Sequence, residues 1–89
     1  MSNFIARIQL NSAAETDYET LNREIEKTPA DLRKKNVFVK ADRIKKGEYN
    51  YRGNISLAEV VDAVYRAIRK TGRNYSFTVM KNKGNFYPG

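Results

Sequence analysis

The chain has 89 residues, of which 40% are hydrophobic and 30% charged, and its formal net charge is +7, so we expect a single domain over residues 1–89. It contains no cysteine and no histidine, which excludes disulfides, favours a reducing cytoplasm and removes the commonest general base and transition-metal ligand. We therefore expect no metal site and no small-molecule cofactor. We also expect no membrane contact, since no apolar run approaches the roughly 20 residues that cross a bilayer.

The first third of the chain predicts a strand followed by a helix. Hydrophobic residues alternate over residues 4–10, which indicates a strand with an apolar face made of Phe4, Ala6, Ile8 and Leu10. The spacing then lengthens to three and four residues, as in an amphipathic helix, over Ala14, Tyr18, Leu21 and Ile25. Ser12 and Glu15 have the spacing of a capping box, and Pro29 is expected to end the helix. The predicted helix therefore covers residues 13–28.

The middle of the chain predicts a β-hairpin. A short run rich in β-branched and aromatic residues indicates a strand over residues 36–41, and polar residues 42–47 are interpreted as the connection. Tyr49 and Tyr51 alternate with polar neighbours in a third strand, and we expect both rings to face the core. Phe38 is the better candidate for stacking on a base from the opposite face of the sheet.

The last third of the chain predicts a second helix and a fourth strand. Ser56 and Glu59 have the spacing of another capping box. The apolar stripe of the helix is predicted to contain Leu57, Val61, Val64 and Ile68, widened by Val60 and Ala67. Alternation from Tyr75 to Val79 predicts a strand over residues 74–81, and residues 82–89 are expected to form a loose tail.

Two strand–helix–strand units joined by a hairpin are typical of a ferredoxin-like α+β fold, with the order β-α-β-β-α-β. Right-handed crossovers place both helices on one face of a four-stranded antiparallel sheet. The opposite face is then open, and a ligand or a second subunit could use it. We expect this face to be lined by Arg7, Gln9, Ser76, Thr78 and Met80.

Positive charge is concentrated in residues 33–52, where eight basic and two acidic residues give +6 of the total charge of +7. The basic residues are Arg33, Lys34, Lys35, Lys40, Arg43, Lys45, Lys46 and Arg52. Such a segment is suited to a polyanion such as RNA, because released counterions drive the association. The alternative is a solvated loop beside an edge strand that lysines protect from pairing.

The sequence contains no catalytic motif: no phosphate-binding glycine loop, nucleophile elbow or dinucleotide fingerprint is present. A ribonuclease that works without a metal could use Arg7, Tyr51 and Arg52. A metal-dependent one needs carboxylates at strand ends, but the first strand ends at Leu10 and Asn11. The remaining candidates, Asp17, Glu24 and Asp62, lie on predicted helices, where we expect exposed, solubilising roles.

Five segments of the chain together carry a family resemblance: NFIARI at residues 3–8, DYETL at 17–21, YNYRGN at 49–54, LAEV at 57–60 and YSFTV at 75–79. They resemble a family of small bacterial proteins that is grouped with the GhoS-type antitoxin endoribonucleases of type V toxin–antitoxin modules. The resemblance implies a ferredoxin-like fold related to small CRISPR-associated ribonucleases, and cleavage of a toxin messenger RNA. Those ribonucleases usually carry an aspartate at the end of the first strand, where this sequence has Asn11, and no catalytic residue of the family is assigned here.

Two functions of different classes are open at this point. The first is binding of RNA through the basic hairpin, with or without cleavage. The second is a homodimeric, non-enzymatic protein-interaction domain that uses the open face of the sheet or a strand edge.

Overall fold

The computed structural model describes residues 2–33 and 39–82, with the backbone alone for residues 28–33. The elements are β1 (Ser2–Leu10), α1 (Glu15–Arg33), β2 (Val39–Lys45), β3 (Glu48–Gly53), α2 (Leu57–Arg69) and β4 (Tyr75–Lys81). The strands form one antiparallel sheet in the order β2-β3-β1-β4, which is the predicted ferredoxin-like arrangement. Neither helix is sufficiently long and apolar to span a bilayer over the residues that the structure describes.

The hydrophobic core lies between one face of the sheet and the two helices. β1 contributes the alternating residues predicted from the sequence, and Tyr49 and Tyr51 of β3 lie beside them with exposed fractions of 1% and 0%. Leu21 and Ile25 come from α1, and α2 adds Val60, Ala63, Val64, Ala67 and Ile68. The prediction that both tyrosines face the core is therefore confirmed.

Both ends of α1 differ from the predicted range of residues 13–28. Ser12 is not the N-cap, because it has a left-handed φ of 54° in the turn after β1, whereas an N-cap residue has extended angles. Instead, Asp17 Oδ2 accepts a hydrogen bond of 2.9 Å from the Ala14 N–H. The helix also continues past Pro29 to Arg33, so Pro29 does not end it.

β2 extends further than predicted, through residues 42–45, which were interpreted as a connection. Residues 36–38 of the predicted strand lie outside the described residues. β2 is an edge strand and accepts charged side chains on both faces, so the alternation that marks a strand is missing there. A β-bulge at Ile44 interrupts its pairing with β3. The turn that follows contains Gly47 with a φ of 76°, as the sequence predicts.

The predicted capping box of α2 is present, because Ser56 and Glu59 exchange hydrogen bonds of 3.2 and 2.9 Å. The buried stripe matches the prediction in part, because Val60, Val64, Ala67 and Ile68 are buried as expected, together with Ala63. Leu57 and Val61 are 48% and 38% exposed, because they lie at the flank of the buried stripe rather than at its centre. Periodicity alone identifies an apolar side of a helix but not which part of that side meets the core.

β4 lies at the edge of the sheet, and its inward residues are less buried than those of β1. Phe77 and Val79 pack partly against the core, but Tyr75 is 38% exposed. The Asn82 N–H donates a hydrogen bond of 2.8 Å to the Asn3 carbonyl of β1. The segment predicted as a loose tail therefore begins with an attached residue, and residues 83–89 lie outside the described part of the chain.

Candidate nucleic-acid interface

The face of the sheet opposite the helices, called the open face below, has no element packed on it over residues 2–33 and 39–82. The register places the residues that alternate with the core on this face. The predicted members Arg7, Gln9, Ser76, Thr78 and Met80 are exposed, which confirms their placement. The pairing adds Asn3, Ile5, Lys40, Asp42, Lys45, Glu48, Asn50 and Arg52.

Glu48 holds the first of two charge clusters on the open face. It is paired in register with Arg7 on one neighbouring strand and with Lys45 on the other. The Glu48 carboxylate is 3.5 Å from Arg7 Nε and 3.7 Å from Lys45 Nζ. The bulge at Ile44 is what brings Lys45 to this face, because it shifts the alternation of β2 by one residue.

Asp42 holds the second charge cluster. Lys40 and Arg52 are directly opposite each other in the register, an arrangement that is unfavourable for like charges. Asp42 relieves this repulsion, because its carboxylate lies 3.8 Å from Lys40 Nζ and 3.7 Å from the Arg52 guanidinium. Each cluster therefore contains two cations and one carboxylate and has a net charge of +1.

The cations of both clusters are accessible to an anionic ligand. Their side chains are between 46% and 71% exposed. Ion pairs between exposed side chains stabilise a protein by only about 0–1 kcal/mol. A phosphate group could therefore replace either carboxylate as the partner of these cations at a small energetic cost.

Next to the Glu48 cluster, the open face contains a depression of about 340 Å³. It arises because β3 pairs with β1 only as far as Arg7, whereas β4 continues along β1 to Leu10. The polar side chains that line it are Arg7, Gln9, Lys46, Glu48, Ser76 and Thr78. These guanidinium, ammonium, amide and hydroxyl groups are the donors that contact phosphate and sugar oxygens in nucleic-acid complexes.

Two asparagines lie on the open face next to the charge clusters, and neither is predicted from the sequence. Asn50 lies between Glu48 and Arg52 on β3, and Asn3 of β1 is in register with Arg52. The carboxamide oxygens of Asn3 and Asn50 are buried and have no hydrogen-bond partner within the described part of the chain. A carboxamide that rotates outward can both donate to and accept from a base edge. No sequence signal marks these positions, because an asparagine in a strand is recognisable only as a polar residue.

The structure separates the predicted basic residues. Lys40, Lys45 and Arg52 come together on the open face, and Arg7 of β1 joins them. Arg43 lies on the opposite face of β2, in register with Tyr49. The remaining positions are Lys46, described next, and Arg33, Lys34 and Lys35, for which the structure describes no side chain.

Lys46 lies in the turn between β2 and β3 and points toward α1. Its ammonium forms an ion pair with Glu15 and lies 4.7 Å from the centre of the Tyr18 ring. It contributes to one wall of the depression, but Glu15 offsets its charge. The positive charge of the hairpin is therefore spread over more than one surface.

The groups suggested for catalysis are also separated. Arg7 and Arg52 lie on the open face, but the Tyr51 side chain is buried among the core residues on the other side. Burial, with a smaller contribution from Tyr49, raises the pKa of Tyr51, so its hydroxyl stays protonated. Because its side chain is buried on the other side of the sheet, Tyr51 cannot contact a ligand bound on the open face. Phe38, the candidate for base stacking, lies outside the described residues.

The helical carboxylates do not form a metal site, since no group of three or more potential ligands converges among the residues that the structure describes. The side chains of Asp17 and Glu24 are only 16% and 19% exposed, so the prediction that they are solubilising was wrong. Asp17 accepts a hydrogen bond of 2.9 Å from Arg73 Nε, which ties α1 to the loop before β4. Asp62 is 65% exposed, as expected.

Comparisons of the chain with protein-family models, with curated proteins and with solved structures found no match. The resemblance to the antitoxin endoribonucleases therefore stays a prediction. Any assignment of function depends on the chemistry of the open face.

Proposed function

We propose that this protein binds single-stranded RNA on the open face of its sheet. The observation that carries the proposal is the pair of charge clusters, which place four cations against two carboxylates on one uncovered face. The clusters are about four residues apart along β1, a distance of roughly 13 Å. A single strand that runs along β1 and β3 could therefore contact both clusters with different phosphates.

The polar groups between and beside the clusters favour a single strand over a duplex. In a duplex the Watson–Crick edges are already paired, whereas unpaired bases and ribose hydroxyls are available for hydrogen bonds. Asn3 and Asn50 offer carboxamides, and the depression offers the hydroxyls of Ser76 and Thr78. These groups would add contacts to bases and sugars to a binding energy that comes mainly from phosphates.

The proposal is for binding without cleavage. The family resemblance supports RNA over other polyanions. Cleavage has less support, because Asn11 stands at the end of β1 and the Tyr51 hydroxyl is buried on the opposite side of the sheet. Electrophoresis of the RNA after incubation with the protein would reveal any cleavage directly.

The test is a titration of a fluorescently labelled 12-nucleotide RNA at several salt concentrations, followed by anisotropy. A variant in which Arg7, Lys40, Lys45 and Arg52 are all replaced by glutamine loses four cations from the open face. If each cation contacts one phosphate, the slope of log K against log salt becomes less steep by about 3, since one contact contributes roughly 0.7.

The matched control removes the same number of exposed cations from the helices, by replacing Arg23, Lys27, Arg66 and Lys70 with glutamine. This control should keep the wild-type salt slope, because these side chains lie on the other side of the sheet. Equal losses in the two variants would show that only overall charge matters, and they would refute the proposed interface.

A gain of affinity provides a second, independent test. Replacing Glu48 with glutamine frees Arg7 and Lys45 from their shared carboxylate and allows one more phosphate contact. One additional phosphate contact raises log K by about 0.7 for each tenfold decrease in salt concentration. Relative to 1 M salt, it therefore strengthens binding about fivefold at 0.1 M salt. Asp62→Asn is the control, because it breaks an exposed ion pair with Arg66, at 3.1 Å, on α2. An equal effect of both substitutions would contradict the proposal.

A further inference from the structure

The outer edge of β4 has no strand paired with it in residues 2–33 and 39–82. Two hydrogen bonds of 2.8 Å, from the Asn11 N–H to the Asn74 carbonyl and from the Asn82 N–H to the Asn3 carbonyl, show which peptide groups point toward β1. The peptide groups that point toward β1 belong to the even-numbered residues of β4. In an antiparallel ladder the peptide groups of the odd-numbered residues, Tyr75 to Lys81, then point outward.

The two edges of the sheet differ in how well they are protected from pairing with another strand. β2 has four charged residues among its seven and a bulge at Ile44, and both features discourage edge pairing. β4 (YSFTVMK) has a single charged residue, Lys81, at its last position, and its pairing with β1 is regular. β4 is therefore the edge that is suited to receive another strand.

Apolar side chains on α2 lie beside this edge. Leu57, Val61 and Tyr65 are spaced four residues apart, and they are 48%, 38% and 37% exposed. Tyr65 lies on the β4 side of the helix, since its ring is 6.1 Å from the ring of Tyr75. Leu57 and Val61 continue from Tyr65 along the same flank at helical spacing. We call these three residues the outer stripe.

We propose that two copies of this chain associate through their β4 edges, antiparallel to each other, about a two-fold axis perpendicular to the sheet at Thr78. This register pairs all seven residues of β4. Tyr75 faces Lys81 of the second copy, and Phe77 faces its Val79. Both of these pairs consist of residues with outward peptide groups, as the hydrogen bonds of an antiparallel ladder require.

The side chains are complementary in the same register. An aromatic ring beside a β-branched side chain and two opposed threonines are favourable cross-strand pairs, and they occur here as Phe77 with Val79 and as Thr78 with its own copy. Lys81 would lie near the ring of Tyr75, where a cation is attracted. No like charges face each other in this pairing. Because the edge is complementary to itself in this way, the partner that we propose is a second copy of the chain.

The helices fit the same arrangement. α2 contacts β1 and β4, so neighbouring helices in this layer are separated by about two strand spacings, or roughly 10 Å. That distance lies at the upper end of the usual separation of packed helices, about 8–10 Å. The two-fold axis therefore places the two copies of α2 side by side with their outer stripes in contact. The same axis covers the exposed edge of β4 and the outer stripe of α2.

The experiment is sedimentation velocity of the full chain from 1 to 200 µM, without RNA, so that its outcome is independent of the proposed RNA binding. We expect a dimer. Thr78→Glu places two carboxylates opposite each other at the axis and should weaken dimerisation at least tenfold. Val61→Lys should also weaken it, and because Val61 is exposed this substitution does not disturb the monomer.

The control is Gln9→Glu, which adds the same charge to the open face but on β1, one strand away from the interface. It should leave the dimer unchanged. Equal weakening by Gln9→Glu and Thr78→Glu would assign the dimer to the open face and overturn the proposal. A wild type that is monomeric at 200 µM would overturn it as well. So would a monomer that dimerises only after removal of residues 83–89, because that segment would then be the occupant of the edge.

Discussion

Tyr49 and Tyr51 provide a matched pair of substitutions, because both are buried on the same side of β3 but their hydroxyls differ. The Tyr49 hydroxyl donates a hydrogen bond to Asn22 Oδ1, whereas the Tyr51 hydroxyl has no partner in the part of the chain that the structure describes. A buried polar group without a partner destabilises a protein by about 1–3 kcal/mol. We therefore expect Tyr51→Phe to raise the free energy of unfolding by about 1–2 kcal/mol.

Tyr49→Phe should have the opposite effect. It removes the hydrogen bond and leaves the Asn22 oxygen without its donor, so we expect a loss of about 1–2 kcal/mol. Urea unfolding at pH 7 measures both changes. With an m value of about 1–2 kcal/mol/M, the midpoint should rise by roughly 1 M in one variant and fall by a similar amount in the other. A lower midpoint for Tyr51→Phe would show that its hydroxyl is satisfied, and the reasoning would fail.

The same two tyrosines predict a loss of stability in alkali. Burial raises the pKa of Tyr49 to about 12, and burial also raises that of Tyr51. Above pH 10 the unfolded chain releases these protons while the folded protein retains them. The stabilisation is therefore complete below pH 10 and is lost toward pH 12, by up to about 1.4 kcal/mol per pH unit for each tyrosine. Either phenylalanine variant should show a shallower decline, and an unchanged decline would rule out this origin.

Four further substitutions test the local structure, each by thermal and urea unfolding. Gly47→Ala should destabilise by about 2–4 kcal/mol, because φ is +76° and the new Cβ would clash with the backbone oxygen of Ile8 in β1. Gly72→Ala, at a φ of +70° with open space around it, should cost only about 1 kcal/mol, and equal effects would contradict the clash. Ser56→Ala should lower the melting temperature by about 4–8 °C, since a cap contributes about 1 kcal/mol. Asp17→Ala should cost about 1–2 kcal/mol through its bonds to the α1 N-terminus and to Arg73, and no change in the midpoint would argue against that role.

The sequence predicted the parts of the fold where burial controls the pattern. In β1 the alternation from Phe4 to Leu10 identified the strand and its inward face, because β1 lies in the centre of the sheet and one of its faces is buried against the core. Tyr49 and Tyr51 were placed correctly for the same reason. The capping box at Ser56 needed only local spacing, since the two residues bond to each other's backbone.

The parts that the sequence missed depend on neighbours that are distant along the chain. Residues 42–45 did not look like a strand, because both faces of an edge strand contact water. Leu57 and Val61 have the spacing of core residues, and only the position of α2 on the sheet exposes them. For the candidate site, the charge count identified Lys40, Lys45 and Arg52, but the sequence could not show that Lys46 turns toward α1 or that Asp42 and Glu48 each hold two cations.

The bulge at Ile44 has a consequence for how many molecules a β4 contact could gather. A subunit with two receptive edges would continue to add copies on both sides and would grow into a ribbon. Because β2 contains the bulge and four charged residues, each copy offers a single receptive edge within the residues that the structure describes, and a two-fold contact occupies it. The extra residue in β2 would in this way limit the assembly to a pair, and its removal would be expected to favour open-ended polymers.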